Sequence, residues 1–159
     1  MSLLLTYFPA ATDELAAATI DWPSGPQGGP TKRPFRKQKP GFLGLDGRGV
    51  EPVVQLGMLE ALLTGKSFAK QLADPTSRPI IATRDGGERL VIRIGDEFIE
   101  ALAKADPKRL AELATPWSEI EEFGGMASVP GLTEFLLRLR GLAQHTMESR
   151  EHAYCWLVV

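Results

Sequence analysis

The chain has 159 residues, 43% of them apolar, and a formal net charge of −2; that is enough apolar material for one domain whose core needs no staples. The near-neutral balance argues against wholesale binding to nucleic acid or a membrane surface, while leaving room for a local patch. A single cysteine, Cys155, excludes an internal disulfide and points to a reducing compartment.

Taken in order, Ser2 to Phe8 is an apolar, aromatic-ended run that reads as a strand closed by Pro9. The opening residues lack the basic start and cleavage site of a signal peptide, and no stretch is long enough to span a bilayer, so the expected location is the cytoplasm. Thr12 or Asp13 caps a short helix to Ile20. From about 22 to 49 glycine and proline recur throughout, and no acidic residue stands between Asp21 and Asp46. This segment reads as a long loop, of the kind that is usually functional or disordered. Pro52 to Gly65 is apolar nearly all round when placed on a helix, with only Gly57, Glu60 and Thr64 on a polar seam. Such a helix is expected to be the buried, central one.

Ser67 to Leu72 adds a helical turn or two before Pro75 and Pro79. Ile80–Arg84 and Glu88–Ile94 flank Asp85-Gly86-Gly87 and predict a hairpin, with Leu90, Ile92 and Ile94 on the core face and Arg89, Val91 and Arg93 on a partly wet one. Asp96, Asp106-Pro107 and Thr115-Pro116 each predict a helix start, the third helix running from Trp117 to Phe123. Pro130 opens the longest helix, to about Glu148, with a stripe of Leu132, Phe135, Leu136, Leu139, Leu142, Ala143 and Met147. The final EHAYCWLVV is apolar on both faces and reads as a buried strand.

Few residues invite chemistry. Gly65-Lys66-Ser67 has the tail of a phosphate-binding loop, but the glycine required five positions earlier is Glu60 and a helix precedes instead of a strand. His145, Glu148, His152 and Cys155 are all legitimate metal ligands, but two sit on a helix surface and two face opposite sides of a strand, so no metal site and no cofactor are expected. Glu60, among apolar neighbours, is a candidate for a perturbed acid. Trp117, Glu121 and Glu122 share one short predicted helix and could pair carboxylates beside an aromatic, although core packing of the tryptophan and solvated glutamates is the plainer reading. Arg48, just before the Pro52 helix, could assist an anion at that helix N-terminus. Lys32, Arg33, Arg36, Lys37 and Lys39 surround Phe35 in the loop; they suit an acidic protein surface, or else are merely solvated or lie on the chain's own acidic helices between 96 and 122.

Tyr7-Phe8, VEPVVQLGMLEALLTG at Val50–Gly65, PWSEIEEFGG at Pro116–Gly125 and YCW at Tyr154–Trp156 together resemble a family of small actinobacterial proteins of unknown function. The layout is also similar, more weakly, to YfbM-like proteins. The basic loop departs from the family's pattern. The resemblance implies kinship and brings no activity and no catalytic residue with it.

The expected fold is α+β in one domain, residues 1–159: a small, mainly antiparallel sheet of the two terminal strands and the hairpin, packed with about six helices. The expected function is that of a non-enzymatic binding protein, an adaptor or immunity-type protein. The alternative is a small-molecule-binding protein or hydrolase using Glu60, Trp117, Glu121 or Glu122 in a pocket.

Overall fold

The structure, a computed structural model, describes residues 3–30 and 41–159. Among these the fold is α+β, with six α-helices and one five-stranded sheet in which every neighbouring pair is antiparallel. The strands are β1 (Leu4–Ala10), β2 (Leu45–Asp46), β3 (Ile80–Arg84), β4 (Arg89–Ile94) and β5 (His152–Val158), in spatial order β2-β1-β5-β4-β3. The last strand is thus the middle of the sheet, which is why both its faces are apolar and buried.

Alternation along the strands feeds two cores. Leu5 and Tyr7 of β1, Ile94 of β4, and Ala153, Cys155 and Leu157 of β5 join the main core. Phe8, Ala10, Val91, Tyr154 and Trp156 point the other way and meet Ala16 and Ile20 in a smaller second core. That second core is roofed by α1 (Asp13–Ala18), capped by the Thr12 hydroxyl, and by the flanks of the 22–49 segment, where Trp22 stacks on Phe42 at 5.5 Å. The face expected to be partly wet is therefore largely covered.

Helices α2 (Gln55–Thr64), α4 (Asp96–Lys104), α5 (Pro107–Ser118) and α6 (Val129–Glu148) cover the main core, while α3 (Phe68–Ala73) lies outside α2. Starts read from local sequence hold at Ser67 and Asp106, which accept backbone N–H groups from the first turns of α3 and α5; α4 begins at Asp96 itself, with Gly95 and no side chain at its cap, and α6 begins at Val129, capped by Ser128, one residue before Pro130. Gly65 ends α2 in the left-handed conformation, and the Asp85–Gly87 turn carries positive φ throughout.

Four expectations need correction. β1 does not stop before Pro9 but runs through it. Leu5 O accepts Gly47 N–H on the β2 side, and Pro9 shares the parity of Leu5, so its ring nitrogen points at an edge that two-residue β2 does not reach. The central helix is not the Pro52 helix. The Glu51 carboxylate accepts the N–H groups of Val53, Val54 and Gln55, holding 52–54 as a turn. Leu62 is exposed and Met58, Ala61 and Leu63 only half-buried, so the central helix is α6. Thr115-Pro116 starts nothing: Pro116 sits inside α5, whose last turn is held by Trp117 in the core, and the chain bends at Ile120 into a short 3-10 turn, Glu121–Phe123. Along α6, Met147 is exposed, and Thr146 takes the buried place with its hydroxyl donating to Leu142 O. Among the described residues no helix is long and apolar enough to cross a membrane.

Candidate functional site

The residues singled out in the sequence scatter over the molecule. Lys32, Arg33, Arg36, Lys37 and Lys39 lie outside the described residues. Glu60 is buried, and its carboxylate accepts from Arg78 Nη2 at 2.9 Å. The same guanidinium donates to Pro52 O and Ser77 O and lies over the Phe98 ring, 5.2 Å from its centroid. Glu60 is thus the partner of a structural arginine. Trp117 is fully buried, its indole N–H donating to Gln55 O at 2.8 Å. Glu121 and Glu122 are exposed on the 3-10 turn, so Trp117 and Glu121 do not share a face. The anion position at the start of α2 is filled by the chain's own Glu51, and Arg48 turns instead to Glu134. Burial pushes the Cys155 thiol well above its ordinary range, which suits a small core side chain and not a thiolate nucleophile.

Among the described residues, two grooves contain residues named from the sequence. The first, of about 480 Å³, lies between the start of α4, residues 74–79 and the start of α1. It is rich in charge, but the charges satisfy one another. Asp13 accepts from the Tyr154 hydroxyl at 2.6 Å and from Arg93 at 3.0 Å. The tyrosine's hydrogen bond above all holds the Asp13 carboxyl below the usual carboxylate range, while burial, then Asp13, push the Tyr154 hydroxyl up. Asp96 takes Arg93 Nη2 on one oxygen and His152 Nδ1 on the other, each at 2.9 Å. The same Nδ1 lies 2.9 Å from Arg93 Nη2, so His152 closes a three-membered cluster with Arg93 and Asp96. Asp74, held to about 2 by the Thr76 hydroxyl and backbone N–H and by Lys66, completes the rim. Spacing in sequence gave no hint of this network, because its members come from α1, β4, α4 and β5. Among the described residues no group of three or more His, Cys, Asp or Glu side chains is gathered in a way that could hold a metal ion.

The second groove, about 430 Å³, is of a different kind. Its floor is made of Val50, Leu132 and Phe135, all almost fully buried, so the apolar surface it offers comes from the half-buried Phe123 and from Met126. One rim is the turn 46–49, in which Asp46 Oδ1 accepts Arg48 N–H at 3.0 Å and fixes Arg48 at positive φ. The other rim is the strap 122–128. Gly124 and Gly125 both have positive φ, and they carry Met126 outward with 89% of its surface exposed. Arg48 and Glu122, named from the sequence for other reasons, both line this groove, with Trp117 beneath it through Gln55, whose amide donates to Glu122 O. Met126 and Phe123 were missed. Their signal was an apolar residue on each side of paired glycines, in a stretch otherwise read as a helix stop.

Compared with known proteins, the chain matches no family model, no curated sequence and no solved structure. The reading of the site therefore rests on its geometry.

Proposed function

We propose that this chain is a non-enzymatic binding protein, of the adaptor or immunity type, which takes an apolar side chain of a partner protein into the groove beneath Met126. The observation that carries this is the combination of an apolar floor with a methionine left 89% exposed on a two-glycine strap. An unbranched, polarisable side chain on an adjustable strap adapts to an incoming apolar group. An acidic partner fits the five cations between 31 and 40 in the sequence, and Arg48. The hydrolase alternative has less to support it: Glu60 is committed to Arg78, and Glu121 and Glu122 are solvated. A reducing, cytoplasmic setting fits the single buried Cys155.

Panning a displayed peptide library on the full chain tests the reading. Enriched peptides are expected to share an apolar anchor. Met126→Asp should weaken them roughly tenfold or more, the loss expected when one methionine-sized apolar contact is removed, with an unchanged melting temperature. No enrichment, or peptides that bind Met126→Asp equally well, would overturn it.

A further inference from the structure

A third groove, of about 360 Å³, is lined by residues of α3, β3 and β4 together with Val53. Unlike the second, it offers apolar side chains that are themselves exposed. Leu72 and Ile80 keep 63% and 60% of their surface free, and Val53, Phe68 and Leu90 are half-buried beside them. Its two charged residues are already paired, Asp74 with Lys66 and Arg78 with Glu60. The groove also holds a buried acceptor. Gln71, 4% exposed, donates through Nε2 to Gly57 O at 2.8 Å and to Lys66 O at 3.1 Å, and these two carbonyls fix which end of the amide is nitrogen. Its Oε1 lies close to the Phe68 ring: a Cβ placed on Gly57 would stand 3.0 Å from Oε1 and 3.0 Å from Phe68 Cε2. Among the described residues Oε1 accepts no hydrogen bond, while the only sealed side-chain donor or acceptor without a partner is Trp156 Nε1. Oε1 is therefore open to an entering group, and of the three grooves Gln71 lines only this one.

An apolar group that covers Leu72 and Ile80 strands Oε1 unless it carries a donor, and an unmet buried acceptor costs more than a satisfied one contributes. An added strand is not the natural occupant. Among the described residues β3 is the outermost strand on its side of the sheet, but its ladder is irregular between Ile80 and Ala82, the kind of break that blunts a free edge. We propose that this groove is a site for a small uncharged aromatic molecule with a single N–H or O–H donor, of the indole or phenol class. The ring packs on Phe68, Leu72 and Ile80, and the donor meets Gln71 Oε1. The volume is at the small end for ligand pockets, which suits one ring or two fused rings. None of the residues lining the Met126 groove lines this one, so the site stands or falls apart from the binding function proposed above.

Ligand-observed NMR titrations of the full chain test this with indole and benzothiophene. Benzothiophene has nearly the same shape, carries sulfur in place of the N–H and prefers apolar surroundings more strongly. Indole should nevertheless bind roughly three- to tenfold tighter, the size of one net hydrogen bond. Benzothiophene binding as tightly as indole would overturn the role of Gln71 and with it the proposal. Leu72→Asp and Ile80→Asp lie on separate elements at exposed positions. Each should leave melting unchanged and weaken indole about tenfold or more, the loss expected for one apolar contact of this size. Met126→Asp should leave indole binding as it is. Absence of saturable binding, binding that survives both groove variants, or loss on Met126→Asp instead would each overturn the site. N-acetyltryptophanamide is the last arm: if it binds tighter than indole, the groove takes a tryptophan side chain of a partner protein and the small-molecule assignment fails.

Discussion

Glu60 carries a lesson about buried carboxylates. The helical spacing that placed it with Gly57 and Thr64 on a polar seam is correct in that the seam is turned inward: Gly57 and Glu60 are buried, and Gln71 of α3 donates to Gly57 O at 2.8 Å. What the spacing does not contain is Arg78, 18 residues on, beyond α3 and Pro75. The distinction decides the chemistry, because a buried acid alone is a reactive group whereas a buried acid on a guanidinium is a structural joint. That joint ties α2 to the segment leading into β3 and keeps the Arg78 plane over Phe98. Glu60→Ala would leave Arg78 buried with only carbonyl partners, and breaking such a pair from one side typically costs about 3–5 kcal/mol. Denaturant melts should show a loss in that range. A loss below about 1 kcal/mol, the scale of an exposed pair, would mean that water reaches Arg78. Arg48 follows the same logic in reverse. The helix N-terminus it was expected to serve was legible, but so close a local competitor as Glu51 satisfies those N–H groups first.

At the level of elements, caps and turns were legible because their causes lie within three or four residues, as with Ser67, Asp106 and the Asp85–Gly87 turn. Rank among helices was not. A segment apolar on all sides suggests centrality only if one partner surrounds it. Here Leu56 and Leu59 enter the main core, while Val53 faces a separate groove with Phe68, Leu72 and Ile80, and Leu62 meets solvent. The same apolar count is thus divided among three environments. In α6 the apolar residues fall on one stripe, and that stripe is buried from Leu132 to Ala143 against the sheet, α4 and α5. Leu139, 2% exposed at its middle, has neighbours on every side. Leu139→Ala should cost about 2–5 kcal/mol, the range for emptying a well-packed leucine site. Equilibrium unfolding in urea measures it, and a value under about 1 kcal/mol would mean that the helix relaxes into the space. Pro116 was misread for a tertiary reason: its proline signal is local, but Trp117 beside it is anchored in the core and keeps the helix in line.

For the molecule as a whole, two-sided apolarity of the first and last strands was enough to place them inside the sheet, but not to order them. The order makes β5 the seam. It pairs with β1 from Leu4 to Ala10 on one side and with β4 from Arg89 to Ile94 on the other. Without it β1 keeps only the two-residue β2, and β4 keeps only β3. Both cores also lose residues, Cys155 and Leu157 from one and Tyr154 and Trp156 from the other. Deleting Tyr154 to Val159 therefore cannot act as fraying of a terminus, which costs little where the last residues are loosely held. It removes the strand on which the remaining pairs are registered and exposes edges with apolar faces, a template for aggregation. The truncated chain is expected to lose its cooperative urea and thermal transitions and its near-ultraviolet circular dichroism. Removal of Val159 alone, which is exposed and outside β5, should leave both transitions in place. The opposite result, a truncated chain that melts cooperatively at the temperature of the full one, would require β1 and β4 to pair directly. That pairing has to bring Tyr7 and Ile92 together across the gap left by Cys155, so it would overturn the two-core arrangement along with the strand order.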